Sequence, residues 1–203
     1  MTRLVRFFSR NCRALRDGEL LRALQSELKY EESSKPFQGH LAASLGDFVL
    51  DWDSPQSKDV VLRRRFDSGE EIAISALLGP EADVGEGLLP MQVLMKICIK
   101  KPGLSPTLQF DCGISSSGDN ESEFAVHNAY YRQSLSCSGA SEYKGCSYSL
   151  LDPQLQDAFK EYLISRGIGK DLTNFLLLHM HKKEQGQYVN WLQKLEAMVA
   201  KDA

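Results

Sequence analysis

The sequence predicts an α+β fold in which one helix, about seven antiparallel strands and two further helices follow one another along the chain. Three observations predict this class. Apolar residues recur at helical spacing near the N-terminus and again over residues 150–199, they alternate with polar residues through the middle of the chain, and no helical pattern separates one strand from the next. Because the strands are consecutive and their connections short, an antiparallel meander is favoured over a parallel sheet.

The first helix is predicted from Leu15 to about Tyr30. Its apolar positions are Leu20, Leu21, Leu24 and Leu28, set among Arg, Glu and Lys residues. An amphipathic helix of this kind requires a partner surface for its apolar face. Leu24 and Leu28 are therefore expected at a helix or subunit contact.

Seven strand-like runs follow, each bounded by turn residues. In chain order they are Phe48–Trp52, Val60–Phe66, Glu71–Leu78, Met91–Ile99, Leu108–Ile114, Phe124–Tyr131 and a short run around Cys146–Ser149. The second and third runs are joined by Asp67-Ser-Gly69, a connection typical of a hairpin. Residues 79–90, which combine glycines, prolines and acidic residues, are predicted to form a mobile acidic loop.

Two helices are predicted after the strands. Asp152 can cap a first turn and Pro153 suits the first helical position, so a helix begins there and ends at the Gly167-Ile-Gly turn. A longer helix follows over residues 172–199, with Gly186 in its interior at a cost of roughly 1 kcal/mol relative to alanine. The side chains expected to pack between helices or subunits are Phe159, Tyr162, Leu163, Phe175, Tyr188, Trp191 and Leu195.

The strands also carry apolar or small side chains on both faces. Ala73 and Leu77 alternate with Ile72 and Ile74, for example. A sheet covered by helices on one face would leave the other face and its edges open. A subunit interface is one way to cover that second face, and a helix folded across it is the other.

The C-terminal stretch carries an ordered series of short segments. They are Leu150-Leu-Asp152, Leu155-Gln-Asp-Ala-Phe159, Tyr162-Leu-Ile-Ser-Arg166-Gly167-Ile168, Leu172 to Leu176, Lys183-Glu184 and Tyr188-Val-Asn-Trp191-Leu192-Gln-Lys-Leu195. This series resembles the C-terminal signature of the mitochondrial acidic matrix protein family, also called the mitochondrial glycoprotein family. Weaker matches at 24–31, 62–63, 69–72 and 108–112 extend the resemblance over most of residues 20–200.

The resemblance implies a fold and an assembly that periodicity cannot give. Family members have a strongly twisted seven-stranded antiparallel sheet flanked by one N-terminal and two C-terminal helices, and they form ring-shaped homotrimers. The resemblance also implies a non-enzymatic, chaperone-like protein of the mitochondrial matrix. Its expected partners are basic mitochondrial proteins of translation or oxidative phosphorylation, and direct binding of nucleic acid is not expected.

The charge is distributed unevenly along the chain. Residues 1–16 carry five arginines and no acidic residue, whereas the other 19 basic and 27 acidic residues give residues 17–203 a net charge of −8. An Arg-rich N-terminal segment without acidic residues is typical of a mitochondrial presequence. A chloroplast transit peptide and a basic helix that stays on the mature protein are the alternatives. The prediction is a presequence-like segment 1–16 and a single α+β domain 17–203. Family members are often far more acidic than this chain, so the resemblance does not imply strong electrostatics in the ring here.

No catalytic, metal or cofactor motif is recognised in the sequence. It has no G-x-S-x-G elbow, phosphate-binding glycine loop or H-E-x-x-H, and its five cysteines form no C-x-x-C pair. His179 and His181 are two residues apart, on different sides of a helix, and are not expected to share a metal ion. Arg63-Arg64-Arg65 is interpreted as part of a solvated or edge strand.

The prediction of an acidic, partner-binding protein has alternatives from two other classes of function. An enzyme whose site is assembled from residues distant in sequence is one alternative, and a nucleic-acid-binding module, disfavoured by the acidic body, is another. No run approaches the roughly 20 apolar residues that span a bilayer, so no membrane span is expected.

Overall fold

The computed structural model describes residues 2–33, 43–79, 92–117, 121–133, 143 and 145–200. In chain order the elements are α1 (Thr2–Ser33), β1 (Val49–Asp53), β2 (Asp59–Arg65), β3 (Glu71–Leu78), β4 (Val93–Lys100), β5 (Thr107–Ser117), β6 (Glu121–Arg132), a 3₁₀-helix (Tyr148–Leu150), α2 (Pro153–Ile164) and α3 (Lys170–Val199). The α+β class, the antiparallel sheet and the order of one helix before and two after the strands are confirmed. The predicted acidic loop over residues 79–90, apart from Gly79, lies outside the described residues.

The predicted count of seven strands is not confirmed, because the described residues form six. The run around Cys146–Ser149 was predicted as the seventh strand, but it leads into the 3₁₀-helix instead. Tyr148 is the one buried residue of this run, and its phenol O–H donates to the carbonyl of Gln156 in α2 at 2.9 Å. The run therefore has a single inward-facing anchor, and it contacts β6 at the sheet edge without pairing with it as a strand.

The six strands lie side by side in chain order, and every neighbouring pair is antiparallel. Leu62, Ile74, Ile97 and Phe110 form one row across four strands, and all are fully buried. Helix α2 and the first part of α3 cover this face. Leu163 of α2, Ile168 of the α2–α3 turn and three residues of α3, Leu172, Leu176 and Met180, belong to the same hydrophobic core. We call this the covered face and the opposite side the open face.

Local sequence explains both ends of α2. Asp152 accepts a hydrogen bond from the Gln154 N–H at 2.8 Å and Pro153 occupies the first turn, which confirms the predicted start. At the other end the Gly167 N–H donates to the Ile164 carbonyl at 2.9 Å, and the Ile168 N–H donates to the Leu163 carbonyl at 3.2 Å. This is the Schellman pattern, with Gly167 at φ +86° as the left-handed residue.

The chain divides into two compact units. The first, the helical unit, contains α1 and the part of α3 from Lys182 onward, and the second, the sheet unit, runs from Gly39 to His181. In the first unit α1 and α3 are antiparallel: the Tyr188 hydroxyl donates to Glu27 at 3.2 Å, and the Gln185 amide donates to the Glu31 carbonyl at 3.2 Å. Helix α1 begins at Thr2 and is longer than predicted. The division into residues 1–16 and a domain 17–203 stays a prediction.

Candidate functional site

An apolar groove lies at one corner of the sheet unit, between the β4–β5 connection and one side of α2. It encloses about 430 Å³. Tyr131 and Leu104 stand at its rim, 63% and 53% exposed, while Ile99 forms part of its buried floor. Concave apolar sites of a few hundred cubic ångströms are the usual form of small-molecule sites. We call this feature the apolar groove.

Helical spacing explains why α2 borders the groove. Leu155, Ala158, Phe159 and Tyr162 all line it, and positions i, i+3, i+4 and i+7 share one helix face. The Phe159 ring meets Phe110 of β5 edge-on, with centroids 5.4 Å apart. The pattern in α2 was visible in the sequence, but it was interpreted as a packing face alone.

The other wall comes from the connection after β4. Leu104 and Pro106 lie in it, and Lys101 is the one charged side chain among the described residues that line the groove. Nothing in the spacing of these residues predicts a groove. It exists because this connection, the end of β6 and α2 meet at one corner.

Next to the groove, a largely buried ion pair attaches the α2–α3 turn to the β2–β3 hairpin. Nε and Nη2 of Arg166 donate to the two carboxylate oxygens of Glu70 at 2.8 and 3.2 Å, and the guanidinium lies 3.4 Å from the ring centre of Tyr162. The side chains of Arg166 and Glu70 are only 18% and 12% exposed. Segments 69–72 and 162–168, which both support the family resemblance, therefore meet at this contact.

Arg64 supports the same turn from the covered face. Its guanidinium lies 4.2 Å from the ring centre of Phe66, and Nη1 donates to the Arg166 carbonyl at 2.9 Å. Arg63 and Arg65 project from the open face and are exposed, as strand alternation predicts. Since β2 lies between β1 and β3, the edge-strand interpretation of this run is wrong, whereas its solvated character on the open face is confirmed.

The open face also exposes large apolar side chains toward the β1 edge. Val49, Trp52 and Leu77 lie on it, because they pair with Arg63, Val61 and Asp59 across the strands. Trp52 is 54% exposed. An exposed apolar patch of this kind is typical of an interaction surface.

The predicted packing residues of the helical unit are not all equivalent. Leu24 and Leu28 are buried together with Leu192, and Tyr188 and Leu195 pack against them. Trp191 is 54% exposed and stacks on Tyr188, with ring centroids 5.8 Å apart. Leu192 was not among the predicted contact residues, although it lies in the same helical phase as Tyr188 and Leu195.

The remaining predicted packing residues belong to the core of the sheet unit. Leu163 is fully buried, and Phe175 is half-buried against that core. The Phe175 ring stacks on His179 with centroids 5.2 Å apart, and His179 Nε2 lies 2.8 Å from a carboxylate oxygen of Asp53. In the part of the chain that the structure describes, no group of three or more His, Cys, Asp and Glu residues could hold a metal ion.

The two cysteines of the central strands are poor nucleophiles. Burial, with a smaller contribution from the Asp111 carboxylate, raises the pKa of the Cys112 thiol from 9.0 to about 12. Burial also raises the pKa of Cys98, although Lys96 and Arg132 oppose that shift. Both thiols are therefore protonated at neutral pH, and a thiol reacts far more slowly than a thiolate.

Across the described residues, no helix combines the length and apolarity required to cross a membrane.

Comparisons of the sequence point to one family. Residues 24–199 match the sequence profile of the family described as mitochondrial glycoprotein. A curated protein of Schizosaccharomyces pombe, mitochondrial acidic protein mam33, is 30% identical to this chain over 107 residues. The match takes in 48% of this chain and 38% of the fission-yeast protein, so it spans well under half of that relative's length.

Two solved structures resemble about nine-tenths of the chain. The p22 protein of Trypanosoma brucei superimposes with a TM-score of 0.69 at 22% identity, covering 91% of this chain and 99% of its own. A Leishmania major protein, described as a sequence homologue of human p32 protein, gives a TM-score of 0.68 at 20% identity, with 90% and 98% covered. At these identities the likeness establishes the fold alone.

Proposed function

Because the chain belongs to the mitochondrial glycoprotein family, whose profile matches residues 24–199, we propose that it is a non-enzymatic binding and assembly protein of the mitochondrial matrix. In this proposal the chain forms an acidic, ring-shaped homotrimer. The ring holds cationic proteins of mitochondrial translation or oxidative phosphorylation in a chaperone-like manner. The family match carries the proposal, and the name of the fission-yeast relative, a mitochondrial acidic protein, supports the location.

The charge of the body supports cationic partners. Residues 17–203 carry a net charge of −8, and the stretch 17–33 of α1 alone has five acidic and two basic residues. Three copies in one assembly would present that excess together. Summed charge of this kind attracts basic proteins over distance and weakens as salt is added.

The open face supports a subunit contact. Val49, Trp52 and Leu77 leave apolar surface in water on a sheet face that α2 and the first part of α3 do not cover. Burying such a patch against another copy would remove it from water, and symmetric homo-oligomers bury their exposed apolar surfaces in this way.

The chemistry of the described side chains supports binding over catalysis. Burial keeps the Cys98 and Cys112 thiols protonated. The largely buried ion pair between Arg166 and Glu70 connects two turns and is not free for chemistry. A protein that works by charge and assembly requires neither a nucleophile nor a general base.

The proposal is tested by measuring mass and binding together. Light scattering of the full chain and of residues 17–203, each at low and at physiological salt, should give three times the mass of one chain. Calorimetric titration with a defined basic protein, cytochrome c, should show binding that weakens as salt rises, while its lysine-acetylated form should bind little because the positive charge is gone. A monomer at both salt concentrations, or equal binding of the acetylated form, would count against the proposal.

A further inference from the structure

We propose that the apolar groove is a binding site for an acyl chain that carries an anionic headgroup, such as a medium-chain carboxylate. This site is separate from the charge-driven binding of basic proteins, because it uses apolar contact and a single cation. Three features of the groove support the proposal.

The first feature is the shape and composition of the lining. The groove encloses about 430 Å³, within the range of sites that hold small ligands. Ile99 and Leu108 supply aliphatic surface from the sheet, Leu104 and Leu155 supply it from the walls, and Phe159 closes one side. Each methylene that such a surface removes from water strengthens binding roughly fourfold.

The second feature is the charge at the mouth. Lys101 is exposed, lines the groove and makes no ion pair within the described part of the chain. Among the described residues that line the groove, none carries a carboxylate. An anionic headgroup would meet the Lys101 ammonium there, whereas a cationic headgroup would meet no carboxylate of the described lining.

The third feature separates an acyl chain from a peptide. Ile99 and Leu108 belong to paired strands and Leu155 to Tyr162 belong to α2, so their backbone N–H and C=O groups already have partners within the sheet and helix. Pro106 has no N–H to offer. A peptide laid in the groove would leave its own backbone groups without partners, at a cost that an acyl chain does not incur.

Calorimetric titration of the full chain with sodium dodecanoate, below its micelle concentration, tests the site. We expect saturable binding of one dodecanoate per chain, tighter than that of dodecan-1-ol and of dodecyltrimethylammonium. Lys101→Glu should weaken dodecanoate binding about fivefold and favour the cationic amphiphile, since an exposed charge pair contributes an effect of that size.

Two further variants change the groove itself, one by filling it and the other by placing a carboxylate in its wall. Ala158 is exposed on α2, so Ala158→Trp can fill the groove without disturbing the core, and it should reduce dodecanoate binding at least tenfold. Leu104→Asp should weaken binding as well. Leu150→Asp, at an exposed leucine that does not line the groove, is the matched control and should leave binding unchanged.

Several results would contradict the proposed site. They are the absence of saturable dodecanoate binding, equal binding of all three amphiphiles, or a loss of dodecanoate binding in Leu150→Asp as large as that in Leu104→Asp. A change of mass in Ala158→Trp without any dodecanoate binding would assign the groove to a contact between copies instead. Binding of the basic protein should persist in Ala158→Trp, so loss of the groove and failure of the proposed function can be told apart.

Discussion

At the scale of single residues, Gly167 and Gly186 show how position decides what a glycine contributes. Gly167 has a φ of +86°, and a Cβ at this position would lie 2.5 Å from Nη1 of Arg64. Gly186 lies within α3, and a Cβ there would have no neighbour within 4 Å. The first position therefore requires glycine, whereas the second only tolerates it.

We expect Gly167→Ala to lower the free energy of unfolding by about 1–3 kcal/mol, because alanine is strained in the left-handed region and displaces Arg64. Gly186→Ala should instead raise it by about 0.4–1 kcal/mol, since it removes backbone freedom from the unfolded chain. Urea unfolding of both variants measures the difference. Changes of the same sign would contradict this account of the two glycines.

Cys112 should make the fold sensitive to alkaline pH. Its pKa rises from 9.0 to about 12 on folding because the thiol is buried. The contribution of Cys112 to the free energy of unfolding is fully present below pH 9 and is lost as the pH rises toward 12. The thiol of the unfolded chain ionises first, whereas the thiol of the folded chain stays neutral. Over that interval the loss approaches about 1.4 kcal/mol per pH unit.

Cys112→Ala should therefore lose stability less steeply than the parent chain between pH 9 and 12, even if it is less stable throughout. The free energy of unfolding is to be measured at several pH values across this range. Burial also raises the pKa of Tyr162, and the parent chain and Cys112→Ala both keep that part of the alkaline slope. Parallel slopes for the two proteins would show that Cys112 does not contribute.

At the scale of elements, the contact between Arg166 and Glu70 fixes the α2–α3 turn to the β2–β3 hairpin. Two turns far apart in sequence are joined by a bidentate, largely buried ion pair. Removing one partner leaves the other charged and poorly solvated. The nearby pair of Arg65 and Glu71, at 3.1 Å, is instead 76% and 42% exposed.

We expect Glu70→Gln to destabilise the fold by about 1–3 kcal/mol, because it leaves the Arg166 guanidinium without its carboxylate. Glu71→Gln is the matched control and should cost less than about 1 kcal/mol, since exposed pairs contribute little. Chemical denaturation of both variants gives the comparison. Equal losses would mean that burial of the Arg166 pair does not matter.

At the scale of the whole molecule, the two tryptophans separate two ways of building an oligomer. Trp52 lies on the open face of the sheet unit and Trp191 on α3 in the helical unit, and each is 54% exposed. The chain contains no other tryptophan. Their equal exposure makes them a matched pair.

If the proposed trimer uses the open face, Trp52→Asp should lower the mass in solution toward that of a single chain, because a buried carboxylate would be unpaired at the interface. Trp191→Asp should leave the mass unchanged. Light scattering over a range of protein concentrations measures both. The reverse result would assign the subunit contact to the helical unit.

The sequence by itself determined the local elements. Alternation of apolar residues located β2 to β5 within a few positions, and the Asp152-Pro153 pair located the start of α2, because side-chain period and capping depend on neighbours in the chain. The run 146–149 was assigned wrongly since four residues give too little alternation to separate a strand from a lead-in to a helix. The C-terminal signature was sufficient to indicate the family.

Only the tertiary structure decided which surfaces face water and which residues meet. Strand alternation cannot tell which face of the sheet the helices cover, so the exposure of Trp52 was not predicted. The apolar groove joins Leu104, Tyr131 and Leu155 from three separate segments, and the contact of Glu70 with Arg166 joins two more. Binding surfaces depend on distance in space, which sequence spacing does not record beyond a few residues.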